Sequence, residues 1–402
     1  MTPIPRHAQA AAERLAAAFP VLAITGPRQA GKTTLARMLF AAKPYVTLED
    51  PDERAFADAD ARAFLARFPD GAILDEAQRC PALFSYLQGV VDVRGRAGQF
   101  VLTGSQQFGL MSGITQSLAG RVGLLQLLPL SLAELAGAFL APRDLAHALC
   151  RGGYPAIHAR GVSPADWLPN YVATYVERDV RQLLGVRDLG AFQRFLRLCA
   201  ARSGQLVNLS ALAVDTGITH VTARQWLAVL EASYVVRLVP SYHENLGKRI
   251  VKTPKLYFLD SALAAWLMGI REPAALAIHA QRGALFEGYV VSEILKHEFN
   301  AGRMPEFWFW RDSAGHEVDL LLPVGHWLQP VEIKSGQTYA DDWPAAARRW
   351  QALAGDRALE PIIVYGGDAS FERAGCRIVS WRQLAHAREA VVPASAATGE
   401  RR

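Results

Sequence analysis

Three patterns predict an α/β fold of several domains for this 402-residue chain. A glycine-rich loop joins an apolar strand to a helix near the N-terminus, a second apolar strand ends in paired acids, and strands with placed charges recur in the last third. The length allows two or three domains, and a hydrophobic content of 51% is ample for buried cores. We divide the chain into residues 1–145, 146–275 and 276–386, and expect a disordered tail at 387–402.

Residues 1–19 are rich in alanine and arginine. They read as a capping helix and not a transit peptide, because the first strand, Val21-Leu22-Ala23-Ile24-Thr25, leaves nothing to spare for cleavage. Gly26-Pro27-Arg28-Gln29-Ala30-Gly31-Lys32-Thr33 follows and matches G-x-x-x-x-G-K-[ST], with Thr34 continuing into a helical stretch. Gly26 and Gly31 let backbone N–H groups turn inward on phosphate oxygens at a helix N-terminus. Lys32 then places a charge on the β- and γ-phosphates, and Thr33 offers its hydroxyl to Mg²⁺. Residues 26–34 are therefore the expected ATP-binding set.

The second buried strand is Gly71-Ala72-Ile73-Leu74-Asp75-Glu76. Its two acids have separate expected tasks: Asp75 binds Mg²⁺, and Glu76 polarises the water that attacks the γ-phosphate. A third strand, Gln99-Phe100-Val101-Leu102-Thr103-Gly104-Ser105, ends in small hydroxyls. Ser105, with Thr103 behind it, is the expected sensor of the γ-phosphate; an ordinary Ser/Gly turn is the alternative. The apolar window 122–142 is interrupted by Gln126, Pro129, Ser131 and Glu134, so it reads as strand, turn and helix and not as a membrane span.

The run from Gly26 to Thr34, then Leu74-Asp75-Glu76-Ala77-Gln78, Leu102-Thr103-Gly104-Ser105, Leu118-Ala119-Gly120-Arg121-Val122 and Leu128-Pro129-Leu130-Ser131 resembles prokaryotic AAA+-like ATPases of the AAA_14 type, whose C-terminal half carries a domain of unknown function, DUF4143. The similarity covers nearly the whole chain. It implies a P-loop parallel sheet, ATP with Mg²⁺, and a catalytic role for Arg121 as an arginine finger acting across a subunit boundary. An arginine in a surface turn is the plainer reading of the same residue.

The middle of the chain has helix-turn-helix spacing. Residues 206–213 start a short helix, Thr216-Gly217-Ile218 make a turn, and residues 219–230 give a second helix with Val221, Trp226, Leu227 and Leu230 inward. Two apolar strands follow, at 234–240 and 255–259, joined by a basic segment with Lys248, Arg249 and Lys252. Together they read as a winged helix, with His220, Thr222, Arg224 and Gln225 where DNA-reading side chains sit. Such modules also serve as packing or lid domains.

In the last third, Glu287 lies on an apolar-periodic helix, and His316-Glu317-Val318-Asp319 and Gln329-Pro330-Val331-Glu332-Ile333-Lys334 read as successive strands. The pattern E…D…E-x-K resembles the PD-(D/E)xK nuclease fold. Glu332 and Lys334, two apart on a strand, face the same side. Asp319 and Glu332 would hold a second Mg²⁺, Glu287 would complete its shell, and Lys334 would orient the attacking water. A half-buried edge strand with solvated charges explains Val-Glu-Ile-Lys equally simply.

A net charge of +5 permits nucleic-acid binding without demanding it. Cys80, Cys150, Cys199 and Cys376 lack C-x-x-C spacing, which argues against a zinc site or a disulfide framework and suits a reducing cytoplasm. Two functions stay open. One is an ATP-driven DNA-processing enzyme; the other is a nucleotide-dependent switch or scaffold acting on protein partners, whose nuclease-like region only binds. ATP is the expected ligand in both, DNA the expected partner in the first, and a homo-oligomer through Arg121 and no membrane contact are expected in either.

Overall fold

The computed structural model describes residues 3–105, 110, 113–114, 116–176, 188–242, 253–386 and 388–391. Its N-terminal region is a parallel sheet of five strands: β1 (Val21–Thr25), β2 (Tyr45–Thr47), β3 (Ile73–Asp75), β4 (Phe100–Gly104) and β5 (Val122–Gln126). Their order is β2-β3-β4-β1-β5, so β1 sits between β4 and β5 with both neighbours parallel. All residues of β1 and β4 are buried, as continuous apolar strands covered on both faces should be. Two apolar layers cover the sheet, one holding Phe64, Phe84 and Leu102, the other Ala12, Ile24 and Leu35.

The middle region runs helix Leu189–Ala201, strand β6 (Gln205–Leu206), helices Leu209–Thr216 and His220–Ala232, then strands β7 (Val236–Val239) and β8 (Lys255–Phe258). The three strands pair antiparallel in the order β6-β8-β7. Asn208 and Thr219 cap the two short helices by accepting the Ala211 and Thr222 amides, and Gly217, at φ 79°, closes the first. Ala223, Trp226, Leu227 and Leu230 form the inward stripe. Val221 departs from the expectation: it is 63% exposed, because it falls outside this i, i+3, i+4, i+7 stripe. The basic residues Lys248, Arg249 and Lys252 lie outside the described residues.

The C-terminal region opens with the long helix Arg282–Asn300, followed by β9 (Trp308–Arg311), β10 (Glu317–Val324) and β11 (Trp327–Lys334), helix Ala345–Ala354, β12 (Ile362–Tyr365), β13 (Phe371–Arg373) and β14 (Cys376–Ser380). The sheet order is β13-β14-β12-β11-β10-β9, antiparallel from β9 to β11 and parallel from β11 through β12 to β14. Phe192, Trp226, Tyr257, Phe286, Leu320, Val331 and Ile362 belong to one buried cluster, so the middle and C-terminal regions share a core. Residues Arg388–Val391 form a short helix, with Val391 buried in that same core. Among the described residues no helix is long and apolar enough to cross a membrane, and the four cysteines are free.

Candidate functional site

The loop between β1 and the helix Lys32–Leu39 is shaped by its glycines. Gly26, at φ 148°, lies so close to the segment after β5 that a Cβ would stand 2.0 Å from the Leu127 carbonyl oxygen. Gly31 is left-handed at φ 95° and forms the helix N-cap. Arg6, 7% exposed at its side chain, braces the loop from outside, donating to the Ala30 carbonyl at 2.7 Å while pairing with Glu134 at 3.0 Å. Lys32 is buried, and its ammonium donates to the carbonyls of Gly26 and Pro27 at 3.0 and 2.8 Å.

The parallel pairing of β1, β4 and β3 brings the acidic strand end beside this loop. Thr33 Oγ1 donates to Asp75 Oδ1 at 3.0 Å, the arrangement in which a hydroxyl and a carboxylate flank one Mg²⁺. Thr103 Oγ1 also donates to Asp75 Oδ1, and the Tyr45 hydroxyl donates to Oδ2 at 2.8 Å. Burial and the bond to Asp75 push the Tyr45 phenol up to about 12, so it stays a donor. Glu76 follows in the left-handed region, at φ 53°, and its Oε2 accepts from Ser105 Oγ at 3.0 Å and from the Gln78 amide. Ser105 therefore holds the carboxylate of Glu76.

Arg28, Gln29, Gly31, Lys32, Thr33, Thr34, Glu49, Asp75 and Glu76 line a cleft of about 470 Å³. Its far wall is Pro155, Ala156, Ala159 and Arg160, from the helix Pro155–Ala159 of the middle region and the residue after it. Sequence reasoning missed Arg160 and Tyr45, because Arg160 reaches the cleft and Tyr45 reaches Asp75 only through the tertiary fold. Arg121 stands elsewhere. It precedes β5 at the N-terminal end of the sheet, five strand residues or roughly 16 Å from the loop, and forms a bidentate pair with Asp92.

A second group of acids lies on the C-terminal sheet. Register pairs Leu320 with Val331, so Asp319 and Glu332 stand opposite one another on β10 and β11. Oxygens of Glu287, Glu317 and Asp319 all lie within 4.8 Å of one another. Glu332 sits beside them: one oxygen pairs with Lys334 Nζ at 2.8 Å, and Oε1 is buried without a hydrogen-bond partner among the described residues. The buried Lys255 of β8 enters this cluster, 2.8 Å from Glu287, in contact with Glu317 and 3.9 Å from Asp319. Tyr257, two residues on, donates its hydroxyl to Glu287. Burial pushes Glu287 up to about 7, against the pull of Lys255; burial and the charge of Asp319 push Glu332 up to about 8. Four of the expected residues are thus brought together, with Glu317 and Lys255 added. Glu317 was legible as the same-face neighbour of Asp319 on an alternating strand; Lys255, one lysine opening an apolar strand, carried no signal.

Comparison with known proteins follows the three regions. Residues 18–136 match the AAA domain model AAA_14, residues 142–274 match a domain of unknown function, DUF8612, and residues 282–384 match a second, DUF4143. Uncharacterized protein Rv2008c of Mycobacterium tuberculosis is 34% identical over 373 residues, covering 91% of this chain and 81% of that protein. Its counterpart in Mycobacterium bovis, Mb2031c, matches at the same 34%. Among solved structures, the Walker-type ATPase PABY2304 of Pyrococcus abyssi superposes with a TM-score of 0.43 at 14% identity, covering 66% of this chain and 98% of that one. The RuvB Holliday junction branch migration motor of Thermotoga maritima gives 0.28 at 18% identity, covering 58% and 87%.

Proposed function

Because the chain belongs to the family of AAA-domain proteins whose C-terminal region is DUF4143, we propose that it is an Mg²⁺-dependent ATPase whose hydrolysis cycle drives DNA contacts made by the middle region. The observation that carries the ATPase reading is the Thr33–Asp75 pair at 3.0 Å with Glu76 one residue on, in the same cleft as Lys32. Lys32 and the backbone N–H groups of the loop, Pro27 excepted, would hold the phosphates; Thr33 and Asp75 would hold Mg²⁺, which would supply charge neutralisation for phosphoryl transfer. Glu76 takes the proton of the attacking water, held in place by Ser105 and Gln78. Arg160 supports phosphate charge from within the chain. Arg121, too distant from its own cleft, serves a neighbouring subunit.

The DNA reading rests on element order and exposure. Helix, strand, helix, helix and hairpin is the order of a winged helix, and His220, Arg224 and Gln225 are exposed on the second short helix. ATP turnover measured with and without single-stranded and duplex DNA tests it. Duplex DNA should stimulate turnover and its binding should weaken steeply with salt; replacing Lys248, Arg249 and Lys252 by alanine should flatten that slope by about 3 at most. A chain that binds no DNA at low salt contradicts this reading.

The order of C-terminal helix, three strands, helix and strand supports a PD-(D/E)xK nuclease-like reading, in which Glu287, Asp319, Glu332 and Lys334 would form the site. One observation favours the second reading for this region, a binding module without cleavage: the ammonium of Lys255 lies among the carboxylates that would hold a metal ion. Loss of plasmid nicking on Asp319→Ala would instead support an enzyme.

A further inference from the structure

We propose that the chain supplies its own cation to the carboxylate cluster: the Lys255 ammonium stands where Glu287, Glu317 and Asp319 would share a divalent ion, and it excludes that ion. The inference rests on the non-cleaving reading of the C-terminal region given above.

Position makes Lys255 a fixture. β8 is paired on both sides, to β6 and to β7, and all four of its residues are buried. Lys255 and Tyr257 are two apart on this strand and point the same way, both toward Glu287. The side chain is 2% exposed, so its ammonium is held inside the fold among these carboxylates.

Chemistry makes it the counter-ion. The Lys255 ammonium pairs with Glu287 at 2.8 Å, touches Glu317 and lies 3.9 Å from Asp319, with the Phe309 ring 5.5 Å from Nζ, so one cation serves three carboxylates. Removing one member of such a buried group leaves the others uncompensated. A divalent ion would need the same oxygens at about 2.0–2.6 Å, which the ammonium in their midst prevents. Glu332 stands beside the cluster on β11, and its Oε1 is buried without a hydrogen-bond partner among the described residues. The network therefore fastens the middle hairpin to the C-terminal sheet, and the site takes no Mg²⁺ or Mn²⁺.

The test is Mn²⁺ titration of the full, nucleotide-free chain by calorimetry, with electron paramagnetic resonance counting the free ion. The wild type and Asp319→Asn should give the same titration. Lys255→Met should gain one Mn²⁺ site per chain, lost again when Asp319→Asn is added. Where Lys255→Met does not fold, Lys255→Met with Glu317→Gln removes one charge of each sign and keeps Glu287, Asp319 and Glu332 as ligands. A wild-type Mn²⁺ site that vanishes in Asp319→Asn overturns the proposal, as does absence of a gained site in both Lys255 variants while they still bind ATP. Plasmid nicking separates the two ideas: Asp319-dependent Mn²⁺ binding by the wild type without nicking overturns the role of Lys255 alone, and Asp319-dependent nicking overturns the non-cleaving reading as well.

Discussion

Glu76 occupies a backbone conformation that costs a non-glycine residue roughly 1–3 kcal/mol, at φ 53°, and its carboxylate is tied to Ser105 and Gln78. The strain aims the side chain at the cleft instead of along the strand. Arg160 enters the same cleft from the opposite wall and is exposed, so its contribution belongs to ligand and not to packing. Arg160→Ala should lower kcat/KM for ATP by about 10–100-fold, about 1.4–2.7 kcal/mol of transition-state binding, with the melting temperature unchanged. Steady-state turnover beside a thermal melt checks this; an unaltered kcat/KM would return Arg160 to the solvated surface.

At the scale of elements, the loop after β1 depends on close approach to the segment after β5. Gly26→Ala puts a methyl group against the Leu127 carbonyl, which must move. Loss of ATP binding and destabilisation by about 1–3 kcal/mol should follow, read by titration with a fluorescent ATP analogue and by chemical denaturation. Wild-type affinity in this variant would contradict the geometry. The same elements show what the sequence made legible. The Gly26-to-Thr33 loop and the Asp75-Glu76 strand end are local patterns, each written in consecutive residues. The Asp319 and Glu332 strands were legible because alternation fixes which residues share a face. Tyr45, Arg160 and Lys255 reach their sites across sheet and region boundaries, and nothing local in the sequence marks such contacts. Val221 was misplaced for a smaller reason: an apolar residue one step off the stripe of Ala223, Trp226, Leu227 and Leu230 looks inward until the helix is built.

Across the whole molecule, the nucleotide cleft is coupled by direct contacts to the regions that follow it. Thr25, the last residue of β1, shares a buried 2.8 Å hydrogen bond with Tyr234, which precedes β7. Glu293 of the long C-terminal helix accepts the Leu132 amide at 2.7 Å, and Lys296 donates to the Leu130 carbonyl at 3.0 Å. Ordered polar contacts therefore tie the sheet that carries the loop, and the segment after it, to both later regions. The pair of Arg121 with Asp92 is partly exposed, 33% and 43% for the two side chains, which leaves the guanidinium accessible for the role in trans proposed above. Arg121→Ala should bind ATP normally, hydrolyse it poorly, and contribute functional clefts when mixed with Glu76→Gln subunits that retain Arg121. A monomer with full turnover in Arg121→Ala would contradict a role in trans. Hydrolysis of ATP at the Asp75-Glu76 strand end is tested by Mg²⁺-dependent ATP turnover beside ATP binding in the wild type, Lys32→Ala and Glu76→Gln. Lys32→Ala should lose binding, while Glu76→Gln should keep it and lose about 10²–10⁴-fold in kcat; undiminished turnover in Glu76→Gln would remove Glu76 from the reaction.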